Sequence, residues 1–323
     1  VGCAMVCKMV KTKEVVYVSA GEGTTSQGDF HEALNWASNA KAPVIFHIQD
    51  NEYAISTHRS EQTASSIYDM TSGYGNLSRY DVDGTDFFET SLAFKEAVQR
   101  ARRNKGPSII VSHVVRLLPH SSSDDQRKYR DEKSLNNDLK KDPLLILESK
   151  CIDAKFIKAD EFAKIRLQVD KDVDTDSAWA EEQDFPEPGT AMDHIYSSKE
   201  YPEESTFNPV AEKIVIVDAI NHVLHEEMEL NEKMVVYGQD IADPKGGVFT
   251  ATKGLSDKFG NGRVFNSPLA ESSIVGTAVG MAVSGYKPVV EIQFGDYIWT
   301  AMMQIRNEVA TMRYRSNNSW ACP

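Results

Sequence analysis

The chain has 323 residues and a formal net charge of −13, and 41% of its residues are hydrophobic and 26% charged. This composition indicates a globular protein long enough for two domains. The acidic charge argues against a nucleic-acid partner, because phosphate contacts require a basic surface. No segment resembles a membrane span or a signal peptide. The four cysteines lack metal-ligand spacing and are expected to be free thiols in a reducing compartment.

The first region is predicted to alternate helices and strands. An apolar helix over 1–10 precedes a strand that ends near residue 20, then Gly21-Glu22-Gly23, then a helix. Apolar residues at helical spacing indicate that helix, with Asp29 as its N-cap and Glu32 completing a capping box. A second strand over 44–49 runs into Asp50-Asn51-Glu52-Tyr53.

Glu22 and Asn51 each follow one of these two strands. In a parallel α/β unit both strand ends open on the same edge of the sheet, so the two side chains are expected to face one crevice. A carboxylate and an amide oxygen there can share a hard cation, and the N-terminus of the intervening helix favours a diphosphate. Short glycine motifs are weak when taken alone, and they also fit an ordinary strand-to-helix turn.

The rest of the first region continues the alternation. The stretch Asp81 to Asp86 is predicted to be a turn that caps a helix over 87–103, and a strand over 108–115 leads into a polar loop over 121–130. These repeats favour a doubly wound parallel sheet in a first domain, 1–143. One or two surface helices over 144–179 and an acidic, proline-containing stretch over 181–209 are interpreted as a connecting segment, 144–209.

The second region, 210–323, has the same alternating pattern. Strands are predicted over 234–237, 263–265 and 288–294, and helices over 214–230, 252–259, 272–284 and 297–314. Glycines at 276, 280 and 285 would let another element approach the third of these helices closely. The fold class predicted for the whole chain is therefore α/β, with two doubly wound parallel sheets.

Several motifs resemble the E1 components of 2-oxo acid dehydrogenase complexes. Gly21-Glu22-Gly23, Asn51 and the following Tyr53-Ala54-Ile55-Ser56 are similar to the thiamine diphosphate motif of these enzymes. The segments 263–271, 291–297 and 313–316 look like their β subunit. The resemblance implies a fused E1, of which this chain would be an internal fragment joining the end of the α part to the start of the β part. It also implies the thiamine diphosphate-binding fold for both domains.

The resemblance points to the branched-chain class of E1. The family usually has aspartate between the two glycines, and Glu22 looks like the branched-chain, 2-oxoisovalerate type. The tract 119–125 is similar to the phosphate-side loop of those enzymes. A pyruvate or acetoin E1 is the alternative within the family.

The resemblance implies a cofactor site with two ends. At the diphosphate end, Mg²⁺ would be held by the side chains of Glu22 and Asn51 and the carbonyl of Tyr53. The reactive end requires Glu271, which in the family hydrogen-bonds the pyrimidine ring of the cofactor and is, with His120, a predicted catalytic residue. The complete set of predicted cofactor contacts is Gly21, Glu22, Gly23, Asn51, Tyr53, Ala54, Ile55, His120, Leu269, Glu271, Gln293 and Tyr297.

The implied reaction is the oxidative decarboxylation of a 2-oxo acid with acyl transfer to the lipoyl group of an E2 acyltransferase. The family places its site between an α-like and a β-like domain, commonly from different copies, so a homodimer is expected. The compartment implied is the bacterial cytoplasm or, second, the mitochondrial matrix.

Two features depart from the family pattern. Gln239 stands where glutamate is typical, and the histidines that act on substrate would lie outside this chain. The fragment itself is therefore expected to be incomplete as a catalyst.

The sequence is also compatible with two other classes of protein. One is a non-catalytic binding or assembly module that keeps the fold. The other is a Rossmann dinucleotide-binding protein, which Gly21-Glu22-Gly23 disfavours, because it lacks the downstream glycine and places a carboxylate where the pyrophosphate would sit.

Overall fold

The computed structural model describes residues 1–197 and 213–323, and these residues form two parallel β-sheets. The first sheet has the order β1-β2-β4-β3 and the second has the order β6-β5-β7. Every pairing within the two sheets is parallel, which confirms the predicted fold class. The strands are β1 Val16–Gly21, β2 Val44–Asp50, β3 Ser78–Asp83, β4 Ser108–His113, β5 Met234–Gly238, β6 Val264–Asn266 and β7 Lys287–Glu291.

Helices flank both sheets and fill the segment between them. Within the described ranges, none is both long enough and apolar enough to cross a bilayer. The α-helices are α1 Gly2–Met9, α2 Gly28–Ala40, α3 Arg59–Gln62, α4 Ile67–Met70, α5 Phe87–Arg102, α6 Glu132–Leu139, α7 Pro143–Asp153, α8 Ala159–Glu181, α9 Ile216–Leu230, α10 Leu255–Phe259, α11 Glu271–Val283, α12 Met302–Gln304 and α13 Met312–Arg315.

The strand β3 was not predicted. It overlaps the Asp-rich stretch that was assigned to a turn, and in it only Val82 is buried. The strand β3 lies at the edge of its sheet, most of its side chains contact water, and its sequence lacks an apolar run. The capping part of the prediction is correct, since the Asp86 carboxylate accepts hydrogen bonds from the first N–H groups of α5.

The capping box predicted at the start of α2 is wrong. The helix is preceded by a 3₁₀ turn, Glu22–Ser26, its N-cap residue is Gln27, and no side chain caps it. The carboxylates of Asp29 and Glu32 instead accept hydrogen bonds from α11, in the other half of the chain. A local sequence pattern could not reveal those distant partners.

The single helix predicted over 297–314 is also wrong. The chain there forms a 3₁₀ segment, Gly295–Ala301, followed by α12, a π-helical segment, Ile305–Val309, and α13. Aromatic and β-branched residues near its start have modest helix propensity, and the single proton of the Thr300 hydroxyl is shared between the Tyr297 carbonyl and the Glu271 carboxylate, which offers the backbone an alternative to α-helix.

The predicted acidic connecting stretch over 181–209 is only partly described. A short 3₁₀ helix, Pro188–Met192, lies within it, and the remainder from residue 198 lies outside the described residues. The surface helices predicted before it are confirmed by α7 and α8, in which no side chain is buried.

A close helix contact joins the two halves of the chain. The helix α1, from the first region, packs directly on α11, from the second. A Cβ atom added to Gly280 would lie 2.8 Å from the backbone N of Cys3 and 2.9 Å from Cα of Gly2, so only glycine fits there. Met5 and Trp36 enter the same core cluster as Tyr237 and Met281. The second region therefore shares its core with the beginning of the chain.

Candidate functional site

The carboxylate of Glu22 is buried at the carboxyl edge of the first sheet. Glu22 follows β1 directly, its side chain is 2% exposed, and neither carboxylate oxygen has a well-formed hydrogen bond. Burial raises the pKa of Glu22; nearby backbone N–H groups offset part of the shift and the charge of Asp50 adds to it. A buried carboxylate without a partner costs free energy, so this position favours a bound cation.

Asn51 lies on the same edge as Glu22. The strands β1 and β2 pair in parallel with Gly21 opposite Gln49, and the backbone N–H of Asn51 lies beside the Glu22 carboxylate. The Asn51 Oδ1 atom accepts a hydrogen bond of 3.1 Å from the backbone N–H of Tyr53, which closes a tight turn. An amide oxygen has two lone pairs, so one remains for a metal ion.

The predicted glycines differ in their steric surroundings. A Cβ atom at Gly23 would lie 3.2 Å from Cβ of Ala54, so Gly23 lets the turn after β2 pack against the turn after β1. A Cβ atom at Gly21 would meet nothing within 4 Å. Packing within the protein therefore favours a small residue at Gly23. At Gly21 the protein leaves room for a side chain, so only a ligand that approaches the backbone would require glycine there.

Arg116 links the turn after β2 to the polar loop that carries His120. Its guanidinium donates to the Ala54 carbonyl at 3.0 Å and to the Tyr129 hydroxyl at 2.7 Å. Tyr129 in turn donates to Asp124, which also accepts the backbone N–H of His120. Sequence reasoning missed Arg116, although an arginine three residues after a strand that ends on this edge was a usable signal. Of the predicted residues here, His120 and Ile55 are exposed.

Glu271 belongs to a second cluster, at the carboxyl edge of the second sheet. It is the first residue of α11, and its two carboxylate oxygens accept hydrogen bonds from Gln239 Nε2 at 3.0 Å and Thr300 Oγ1 at 3.2 Å. Gln293 donates to the carbonyl of Gln239 and to Asp240. Gln239, which departs from the family pattern, is thus a buried donor that fixes the Glu271 carboxylate.

Leu269 and Tyr297 complete the second cluster as exposed apolar surface. The side chain of Leu269 is 85% exposed and that of Tyr297 is 46% exposed. The Tyr297 ring packs edge-to-face against Phe294, and Phe294 packs in the same way against Phe249. The pyrimidine end predicted from sequence is therefore a polar network, centred on Glu271, beside an uncovered aromatic surface.

The two clusters are connected through α2 and α11. Asp29 accepts hydrogen bonds from Ser272 Oγ at 2.6 Å and from Gln304 Nε2 at 2.8 Å, and Glu32 accepts the backbone N–H of Ser273 at 2.9 Å. In the part of the chain that the structure describes, no hydrogen bond runs directly from the Glu22 cluster to the Glu271 cluster. A single chain therefore presents two separate ends of the predicted site.

Glu32 supplies the cap that the start of α11 lacks locally. Ala270, the N-cap residue of α11, makes no side-chain cap hydrogen bond, and the Glu32 carboxylate satisfies one of the first N–H groups instead. We expect Glu32→Ala to lower the free energy of unfolding by about 1 kcal/mol, the usual effect of losing a cap. Urea denaturation would measure it. Glu32→Gln keeps an acceptor oxygen and is the control; equal stability of Glu32→Ala and wild type would contradict the capping role.

The residues at the first edge fit a magnesium ion. Mg²⁺ takes oxygen ligands and usually keeps waters and phosphate oxygens alongside a few protein ligands. Glu22, Asn51 and the Tyr53 carbonyl would provide one carboxylate, one amide and one main-chain oxygen, and the unpaired Glu22 carboxylate is the observation that supports the fit. Residues 1–197 and 213–323 contain no group of three or more His, Cys, Asp or Glu side chains placed to hold a metal ion.

The sequence comparisons define the class of this chain. Residues 1–189 match the family described as "Dehydrogenase E1 component", and residues 212–320 match the pyrimidine-binding domain of transketolase. Because the first match covers more than half of the chain, the chain belongs to the dehydrogenase E1 component family. The second region thereby has a thiamine diphosphate-binding fold. The resemblance identified from the sequence motifs is confirmed.

Each half of the chain is similar to a different E1 subunit. The 2-oxoisovalerate dehydrogenase subunit alpha of Bacillus subtilis is 37% identical over 199 residues, 61% of this chain and 60% of the relative. The subunit beta from the same organism is 50% identical over 107 residues, 33% of this chain and 32% of the relative. The pyruvate dehydrogenase E1 subunit beta of Bacillus subtilis is 41% identical over 111 residues, 34% of each chain.

An α-type and a β-type E1 segment are therefore joined in one polypeptide. The chain spans 60% of the alpha relative and about a third of the beta relatives.

Proposed function

We propose that this chain binds thiamine diphosphate with Mg²⁺ and contributes to an E1 enzyme that decarboxylates a 2-oxo acid and transfers the acyl group to the lipoyl group of an E2 acyltransferase. The observation that carries the proposal is the buried, unpartnered carboxylate of Glu22 at the edge of a parallel sheet. A cation bound there would relieve the cost of that burial and offer a positive charge to a diphosphate.

Residues at the two ends of the proposed cofactor site would have different roles. Glu22, Asn51 and the Tyr53 carbonyl would hold the metal ion. When bound, thiamine diphosphate supplies a carbon nucleophile and an electron sink for the decarboxylation. Glu271 would share a proton with the pyrimidine nitrogen of the cofactor, and the donors Gln239 and Thr300 would keep its carboxylate in one orientation.

The proposed substrate class is the branched-chain 2-oxo acids. Glu22 in place of the usual aspartate supports it, and relatives named for 2-oxoisovalerate match both halves of the chain. The second candidate is pyruvate, because pyruvate dehydrogenase E1 subunits also match both halves; the alpha subunit of Acholeplasma laidlawii is 35% identical over 170 residues.

A homodimer is proposed as the form that completes the site. The Glu22 cluster and the Glu271 cluster are separate within one chain, and Leu269 and Tyr297 present exposed apolar surface beside Glu271. The first edge of one copy placed against the second edge of its partner would cover that surface. The proposed domains remain 1–143 and 210–323, joined by 144–209. Relatives from bacteria and from mitochondria support either the bacterial cytoplasm or the mitochondrial matrix as the compartment.

Calorimetric titration of the purified chain with thiamine diphosphate in the presence of Mg²⁺ tests the proposal. We expect heat of binding that disappears when EDTA removes the metal ion, and no heat with NAD as the control ligand. The same titration would be repeated with the chain extended at both ends to the length of the relatives. Absence of cofactor binding by both forms would refute the proposal, and binding of NAD instead would support a dinucleotide-binding protein.

Turnover with 2-oxoisovalerate and pyruvate separates the remaining alternatives. For the extended protein we expect a higher kcat/KM with 2-oxoisovalerate than with pyruvate, measured as carbon dioxide release with an artificial electron acceptor. A higher value for pyruvate would favour the second candidate. Cofactor binding without decarboxylation of either acid would favour a binding or assembly module.

A further inference from the structure

A single arginine closes the turn that presents Asn51 and Tyr53. The backbone N–H of Arg59 donates to the carbonyl of Glu52 at 2.8 Å, and Tyr53 and His58 form an antiparallel bridge. The Arg59 side chain extends back over the turn, and its Nη2 atom lies 3.5 Å from Glu52 Oε1. The turn is therefore a closed loop that begins at the end of β2 and ends at the first residue of α3.

The guanidinium of Arg59 also pairs with Asp50, a second buried carboxylate at this edge. Asp50 is the last residue of β2, its side chain is 1% exposed, and Oδ1 accepts the backbone N–H of Glu52 at 3.0 Å. Its Oδ2 atom is bonded to Arg59, and Nδ1 of His113 lies 3.7 Å from the same oxygen. The charge of Asp50 contributes to the raised pKa of Glu22, and among residues 1–197 and 213–323 no cationic side chain pairs with Glu22.

Two buried carboxylates at one edge repel each other unless a positive charge compensates one of them. With Arg59 in place, Glu22, Asp50 and Arg59 together carry one net negative charge. That balance suits a site that must accept a divalent cation and then a polyanionic diphosphate. A second uncompensated carboxylate would strengthen the attraction for the cation alone and weaken the attraction for the diphosphate.

We propose that Arg59 sets the charge of the cation and diphosphate site: it cancels the charge of Asp50, the residue directly before Asn51. The proposal rests on the proposed function of this edge. It assigns a role to two residues, Asp50 and Arg59, that the sequence motifs do not include.

Charge compensation has a signature that a purely structural role lacks. In Arg59→Gln, we expect the affinity for Mn²⁺ alone, followed by electron paramagnetic resonance, to rise by about threefold to tenfold, because the site gains a net negative charge. The affinity for inorganic pyrophosphate in saturating Mg²⁺, followed by calorimetry, should fall by at least about tenfold. In Asp50→Asn, which removes one negative charge, Mn²⁺ alone should bind more weakly than to wild type.

The double variant Asp50→Asn/Arg59→Gln restores the net charge and is the decisive comparison. We expect both affinities to return to within about threefold of wild type, since neither charge of the pair remains. Arg59→Lys keeps the positive charge, so both of its affinities should also stay near those of wild type. If Arg59→Gln folds poorly, Arg59→Lys and the double variant are the variants that test the charge role. The urea midpoint of the metal-free protein should be lowest for Arg59→Gln and should recover in the double variant, because only the single variant leaves Asp50 unpaired.

The possible results separate this proposal from the proposed function. Parallel losses of Mn²⁺ and pyrophosphate affinity in Arg59→Gln, without recovery in the double variant, would overturn the charge role while wild-type binding upholds the proposed function. Wild-type protein that binds neither probe would overturn the proposed function and the Arg59 role with it.

Discussion

Glu271→Gln is expected to leave the affinity for thiamine diphosphate within about threefold of wild type and to slow exchange of the cofactor C2 proton by roughly 10²-fold to 10⁴-fold, the range for a positioned proton-transfer group. Glutamine has the size of glutamate and still accepts a hydrogen bond, so the contacts with Gln239 and Thr300 can persist in altered form. It cannot share a proton with the pyrimidine nitrogen, so binding and proton exchange should separate.

Hydrogen–deuterium exchange at C2, quenched with acid and read by NMR, measures this effect in the extended protein. Glu226→Gln, an exposed glutamate on α9, is a matched control and should exchange at the wild-type rate. Wild-type exchange in Glu271→Gln would remove Glu271 from the proposed mechanism. A parallel loss of cofactor binding would instead indicate that its main contribution is to affinity.

Glu22→Gln is expected to stabilise the metal-free protein while weakening Mg²⁺-dependent binding of thiamine diphosphate by at least about tenfold, or about 1.4 kcal/mol. In the described part of the chain the buried carboxylate of Glu22 has no well-formed hydrogen bond, so replacing it with a neutral amide removes the extra cost of burying a charge. The same replacement removes the strongest proposed ligand of the metal ion. Stability and cofactor affinity should therefore change in opposite directions.

The stabilising effect of Glu22→Gln should depend on pH with a defined sign. Burial raises the pKa of Glu22 in the folded protein above its ordinary value of 4.5. The folded protein therefore binds this proton more tightly than the unfolded chain does, and wild type loses stability as the pH rises from 4.5 through the folded pKa. The advantage of Glu22→Gln should be small at pH 4.5 and complete above the folded pKa.

Urea denaturation of both metal-free proteins at several pH values between 4.5 and 8 would measure this difference in the free energy of unfolding. Addition of Mg²⁺ and thiamine diphosphate should reduce the stability advantage of Glu22→Gln, because wild type gains more binding energy than the variant. A destabilised Glu22→Gln protein at pH 8 without metal would show that the Glu22 carboxylate has a structural partner after all.

The parallel sheets were predictable because their central strands are short apolar runs with β-branched residues. The strands β2, β4 and β5 are buried on both faces, and this makes their sequences distinctive. The edge strand β3 was not predicted because its sequence, Ser-Arg-Tyr-Asp-Val-Asp, contains no apolar run. Alternation of strands and helices was sufficient for the fold class but not for every element.

The candidate site was accessible from sequence where its residues belong to continuous motifs. Glu22, Asn51 and Glu271 were recognised by their resemblance to the E1 family, and chemistry alone left several interpretations of the first two. Residues that act through distant partners were not accessible. The residues near Glu32 in the sequence do not predict a hydrogen bond to Ser273. Asp50 pairs with Arg59 only because the intervening turn folds back.

The glycine contact between α1 and α11 bears on how an E1 of two subunits can become one chain. The Gly280 contact is made by two backbones that meet directly, at a place separate from the peptide that connects the halves. The relatives named alpha and beta are separate polypeptides, and in this chain their counterparts share one hydrophobic core. The α-type and β-type parts of this chain are therefore held together by direct packing as well as by the connecting peptide.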